Sequence, residues 1–295
     1  MQLDKTRIGI RERGVLDTLD LSLQVLRAFI KPLLLTFALG AAPLMLLNHF
    51  LIGWMADVEY AEEFPLRYIW TMSLLVFIEA PLASVFATAY LGQAVFLDRP
   101  RIRIVITEVR QLLPRILWCQ LVIRGIAPAW ALLLTLERID EVNIPVEALL
   151  LPGLAFYAAV LRTVRPFMNE IILLERNPLR GRDRSVMTIG RRSSLLHGPS
   201  SGDLLVRGLL LGPLTVILAL ACYGVFLFIR GVSLNDWQQG PVMIQFFLPL
   251  SMWMVAGFLT VVRFLSYLDL RIRQEGWEVE LRLRAEANRL TSKLT

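Results

Sequence analysis

The chain has 295 residues, 56% of them hydrophobic, and a net charge of +6. Soluble domains average roughly 45–50% apolar residues; here the excess gathers into runs of about 20, the length a helix needs to cross a hydrocarbon core of roughly 30 Å. That excludes an ordinary soluble globule. With no regular period-2 alternation to suggest a closed barrel, it predicts an all-α polytopic membrane protein.

The first 32 residues read as a segment lying before the membrane domain. They carry Asp4, Glu12, Asp17 and Asp20 in place of a short basic head and compact apolar core, so no cleavable signal peptide is expected. Within them Leu16, Leu19, Leu23, Leu26 and Ile30 recur on one helical face, opposite Asp17, Asp20, Gln24 and Arg27. This pattern predicts an amphipathic helix in the membrane interface, or one docked on a partner. The membrane domain is predicted over 33–266, with six spans at about 33–55, 69–96, 116–135, 146–163, 208–229 and 242–262. The third and fourth runs are short or broken by proline.

Lysine and arginine sort the connections. Of 31 such residues, 27 fall in the N-terminal segment, the 97–115 loop, the 162–207 region and the tail from Arg263. Positive residues remain cytoplasmic, which predicts both termini inside. Trp54, Tyr68, Trp70 and Trp237 fall near the opposite edges, where interfacial aromatics belong. On this distribution the net charge answers to membrane topology, and no nucleic-acid partner is expected.

The second span contains a carboxylate, Glu79, two residues before Pro81; the third contains Arg124. Each is about ten residues from its span's start, near mid-membrane at 1.5 Å per residue. Either charge alone costs about 2.5–3.5 kcal/mol at the centre of an inserted helix. Antiparallel neighbours bring them within reach, so a Glu79–Arg124 intramembrane pair is expected, as a structural pin or as a transport or ligand site. Ala80, Ser84, Thr88 and Gly92 form a small-residue ridge suited to close helix packing. Gly208–Gly212 is a second, commoner spacing of the same kind. Pro81, Pro128, Pro213 and Pro249 are candidate helix breaks.

The basic connection 164–207 opens with an apolar stretch, Phe167 to Leu174, closed by Asn177-Pro178. Arg180, Arg182, Arg184, Arg191 and Arg192 follow, a cluster expected to contact anionic lipid head groups or a protein partner. His197 and Asp203 flank a turn-like "GPSSG" and lack a third partner for catalysis. The remainder, 267–295, reads as a charged cytoplasmic helix: Leu268, Ile272, Val279, Leu283 and Leu290 share a stripe with Gly276. Asp269–Arg273, Glu278–Arg282 and Glu280–Arg284 stand four residues apart on the other faces.

Cys119 and Cys222 fall within predicted spans and suggest neither a disulfide framework nor a metal cage. His49 and His197 are the only histidines. There is no H-E-x-x-H, G-x-S-x-G, P-loop or dinucleotide fingerprint, so no enzyme, metal or cofactor is expected.

"KPLLLTFALGAAPLMLL", "EAPLASVFATAYLGQAVFLDRPR", "RPFMNEIILLERNPL" with "RRSSLLHG", and "YLDLRIRQEGWEVELRLRAEA" together resemble an uncharacterised family of bacterial six-helix integral membrane proteins. The N-terminal region and "LDLRIRQEG" are more loosely similar to membrane domains attached to some glycerophosphodiester phosphodiesterases. Their catalytic domain has no counterpart here, so the resemblance implies no hydrolase activity. The family resemblance implies no known activity; the residues themselves are read as those of an inner-membrane scaffold or accessory subunit binding cytoplasmic partners and anionic lipid. The alternative is a small transporter or lipid-handling protein using the Glu79–Arg124 region.

Overall fold

The computed structural model describes residues 14–60, 65–95, 100–137, 144–181 and 186–275. Among these, every regular element is a helix.

The chain enters through α1 (Val15–Ala28), with Asp17 in its first turn accepting from the Gly14 N–H and Arg27 in its last. Both charges suit the helix dipole. The buried face of α1 is Thr18, Ser22 and Val25. The two hydroxyls bond to Gly14 O and Thr18 O of their own helix, so the polar stripe packs without an unpaired group. Leu16 and Leu23 face outward, 80% and 55% exposed. The leucine stripe is therefore available to lipid while the small polar stripe packs against α11 (described below).

A long α2 (Ile30–Tyr60) packs along α3 (Leu66–Ala83) and α4 (Val85–Ala94). The approach is closest at Gly40, where an added Cβ would lie 2.1 Å from the Ala83 carbonyl oxygen. Only glycine admits so near a backbone. α3 and α4 form one span with a local break at Ser84, whose hydroxyl bonds the Pro81 carbonyl.

Residues 102–115, expected as part of a loop, join the first two residues of the expected third span in one helix, α5 (Ile102–Leu117). It buries Val105, Val109, Leu112 and Ile116 along one face. A π-helical turn, Trp118–Ile123, continues it to a sharp break at Gly125, whose φ of +82° suits glycine. α6 (Ile126–Glu137) leaves this break at 57°. α7 (Ile144–Val164) returns. The next connection turns inward: α8 (Met168–Glu170) and a π-helical turn, Ile171–Glu175, bury Asn169, Glu170, Ile171, Ile172 and Leu173. Arg176, at φ +55°, ends it. α9 (Ile189–His197) is capped by the Thr188 hydroxyl, α10 (Ser201–Leu234) is largely exposed, and α11 (Leu248–Glu275) runs down the centre.

Four helical stretches are long and apolar enough to cross a membrane: Ile30–Asp57, Leu66–Ala94, Ser201–Leu234 and Met243–Gln274. The bent pair Ile102–Ile123 and Ile126–Thr135 makes a fifth if it counts as one span. The third expected span is thus a broken one that begins earlier than the apolar run. The fourth corresponds to a shorter apolar helix, Leu149–Val164. Of the tail helix expected over 267–295, α11 carries the part to Glu275, with Asp269–Arg273 paired at 3.0 Å. Residues 276–295, and with them Glu278–Arg282 and Glu280–Arg284, lie outside the described residues.

Candidate anion-binding site

Glu79 is fully buried, but Arg124 is not its partner. Its carboxylate accepts from Asn48 Nδ2 of α2 at 2.7 Å and from Trp130 Nε1 of α6. Arg124 ends the π-helical turn, immediately before Gly125, and donates to the Arg165 carbonyl at 2.7 Å. The expected pair assumed one straight third span. The break at Gly125 instead leaves Trp130 of α6 beside Glu79 and turns the arginine toward the end of α7. Glu79 is held by neutral N–H donors from two neighbouring helices.

A buried ion pair of this bundle is Glu170–Arg263. Glu170 is fully buried and takes Arg263 Nε at 2.7 Å. The same guanidinium donates to Ser84 Oγ at 2.9 Å and Thr88 Oγ1 at 3.3 Å. Asn169 Nδ2 donates to the Pro81 carbonyl, which lies at the break between α3 and α4, while its oxygen accepts from Gln120. Ser84 and Thr88 of the expected ridge are thus hydrogen-bonding members of this network. Ala80 is half-buried, and Gly92 lies against Leu174, whose Cδ2 would sit 2.1 Å from an added Cβ.

Positive charge exceeds negative around this pair. Arg124 is 5% exposed and lies in the fields of Arg263 and Glu170. Arg162 lies in those of Arg124 and Arg263, donates to the Ile78 carbonyl at 3.0 Å and rests 4.1 Å over the Phe77 ring. Among the described residues Glu170 is the acid whose charge reaches Arg124, and Arg263 already holds it at ion-pair distance.

Beside them opens a cavity of about 580 Å³. Arg124 forms part of its lining, Arg165 and Arg180 stand at its exposed side, and no acid among the described residues lines it. Among the described residues, no carboxylate pairs with any of these three arginines. Trp118, Ile123, Leu161, Met168, Leu179 and Ile189 complete an apolar wall. Trp118 and Ile123 are themselves 54% and 43% exposed on the outer face of the bundle. The cavity therefore joins an apolar flank to a cationic mouth.

No family model, curated protein or solved structure matches this chain. What the site can do rests on its own geometry. Guanidinium groups bind carboxylate or phosphate through paired, planar N–H donors, and a mostly dry wall strengthens that attraction.

The remaining arginines of the expected basic cluster divide. Arg191 stands in the first turn of α9. Arg192 faces Glu175 in a two-pronged pair, its Nη2 at 2.9 Å, and joins the fold in place of a head-group contact. Glu175 also accepts from Tyr267 at 2.8 Å, tying α9 to α11. Arg182 and Arg184 lie outside the described residues.

His197 is buried and stacks on Phe167 at 5.6 Å. A neutral ring with its proton on Nδ1 donates to the Ser193 carbonyl at 2.7 Å and accepts the Phe167 N–H at Nε2. Burial is the main force holding its pKa down at about 4, against the bond to Ser193 and assisted by the Arg165 and Arg124 charges. Asp203 pairs with Arg207 at 3.0 Å, away from His197. Glu170, Asn169 and Arg263 were not singled out from the sequence. The discoverable signal was Asn169-Glu170 inside the apolar stretch 167–174, polar residues where the stretch otherwise asked for burial.

Proposed function

We propose that this chain is a multi-pass bacterial inner-membrane protein that binds an anionic amphiphile, a lipid with a phosphate-bearing head group, in the arginine-lined cavity. The observation that carries the reading is Arg124: a guanidinium buried without a carboxylate, lining a cavity whose apolar wall reaches the bundle's outer face. A buried cation without an anion is costly, and a bound phosphate would offset that cost. Arg165 and Arg180 would close on the head group, and the chain would leave past Ile123 and Trp118.

The basic side of the protein would be cytoplasmic, with both termini there and six crossings in all. The bent α5–α6 unit and α7 would supply the third and fourth. The charge sorting supports this topology. The outward leucines of α1 support its lying in the inner interface beside the bundle. A scaffold role remains compatible, with the bound lipid as a structural part and α1 offered to a partner. A Glu79–Arg124 transport site would have to work without a direct bond between the two, since each is held by other partners.

The test uses Trp118 as a reporter in protein reconstituted into vesicles. Brominated phosphatidic acid should quench more fluorescence than brominated phosphatidylcholine at equal mole fraction, and Trp118→Phe should remove most of the difference. Equal quenching by the two lipids would refute selective binding.

A further inference from the structure

The arginine-lined cavity has a neighbour. A second space, of about 520 Å³, is lined by Arg165, Met187, Gly190, Arg191, Ser194 and Leu195, again without an acid among the described residues. The two share Arg165 and Gly190. We infer that the amphiphile carries two directly linked phosphates, a lipid diphosphate whose groups occupy the two spaces on either side of Arg165. This deepens the reading proposed above and rests on it.

Three observations converge. First, Arg165 is exposed, makes no ion pair among the described residues and forms part of both walls. A guanidinium has five donors in a planar fork and can serve two adjacent anionic groups at once.

Second, the first turn of α9 leaves one backbone donor without an acceptor among the described residues. Ile189 N–H reaches the Pro178 carbonyl, Arg191 N–H the Thr188 hydroxyl and Arg192 N–H the Thr188 carbonyl. Gly190 N–H has no such acceptor, and Gly190 belongs to the linings of both spaces. A Cβ on Gly190 would meet nothing within 4 Å, so the space above it is open. A helix start with such an N–H, flanked by arginines and opening on a cavity, favours a phosphate.

Third, the two spaces differ in extent, both being walled largely by apolar surface. The first has the buried arginine and the long apolar wall that suits a lipid chain. The second carries Arg191 and Ser194 and is lined by fewer apolar residues. That order, chain then phosphate then phosphate, is the order of atoms in a lipid diphosphate. The negative charge of such a head group also matches several guanidiniums better than a single phosphodiester does.

The experiment is equilibrium binding of farnesyl monophosphate, farnesyl diphosphate and inorganic pyrophosphate to the full chain in detergent micelles. Farnesyl diphosphate should bind about tenfold or more tighter than the monophosphate, as added charge-assisted bonds require. The double variant Arg191→Gln/Ser194→Ala, two exposed positions, should bring that ratio within about twofold of unity without weakening the monophosphate, since its losses fall on the second group alone. A ratio near one in the parent, or a ratio that persists in the double variant, overturns this inference alone. Inorganic pyrophosphate binding as tightly as farnesyl diphosphate overturns the lipid part of it. If neither farnesyl compound binds, the underlying amphiphile reading falls with it.

Discussion

Glu79 and Glu170 are both fully buried carboxylates, yet their surroundings give them different energetics. Glu170 is neutralised by Arg263, so Arg263→Met should leave a buried charge unpaired and cost about 3–5 kcal/mol. Glu79 depends on N–H donors, and Asn48→Ala should cost about 1.5–3 kcal/mol, the scale of a hydrogen bond to a charged group. Unfolding of purified protein in mild detergent measures both. A double-mutant cycle on Glu79→Gln and Arg124→Gln should show coupling under about 0.5 kcal/mol, because they share no bond. The same cycle on Glu170 and Arg263 should show several times more. His197 adds a pH dependence. Its folded pKa of about 4 lies below the unfolded value near 6.5. Between those limits the unfolded chain holds more protons, so stability rises with pH and is fully present above the unfolded pKa. It should fall by about 3 kcal/mol as pH drops from 6.5 to 4, and His197→Gln should flatten that part of the profile. Single charges inside apolar runs could be read as buried from the sequence. Their partners could not, because Asn48 and Trp130 look like ordinary span residues until α2 and α6 are packed.

At the scale of elements, close approaches and breaks matter most. Gly40→Ala drives a methyl into the Ala83 backbone carbonyl, which cannot rotate away, and should cost about 1–3 kcal/mol. Gly92→Ala meets only the tip of Leu174 and should cost clearly less. Comparing their melting temperatures in one detergent tests whether α2 and α3 pack as tightly as described. The long apolar helices α2, α10 and α11 were legible because a run of 20 oily residues has one economical fate. α5 was not, since its charges suggested a loop. Its apolar positions 105, 109, 112 and 116 carry a helical period that charge counting overlooked. The inward turn at 168–175 was harder still: its burial depends on Ser84 and Thr88 of α4 and its neighbour and on Arg263 of α11, residues far away in the chain.

For the whole molecule, the distribution of charge would link topology to the proposed function. On that reading the arginines that would sort the loops across a bilayer also supply the mouth of the cavity, so the basic connection would serve both orientation and recognition. The all-α, multi-helix architecture followed directly from apolar run length, whereas the cavity needed the break at Gly125 and the inward turn together. The measurement that bears most directly on this account is equilibrium binding of short-chain phosphatidic acid and phosphatidylcholine to the purified protein, with Arg124→Gln and Arg180→Gln beside the parent. Phosphatidic acid should bind about tenfold tighter than phosphatidylcholine, and each arginine variant should lose a large part of that preference, consistent with charge-assisted bonds to phosphate. Equal affinity for the two lipids, or a preference untouched in a folded Arg180→Gln protein, would contradict it.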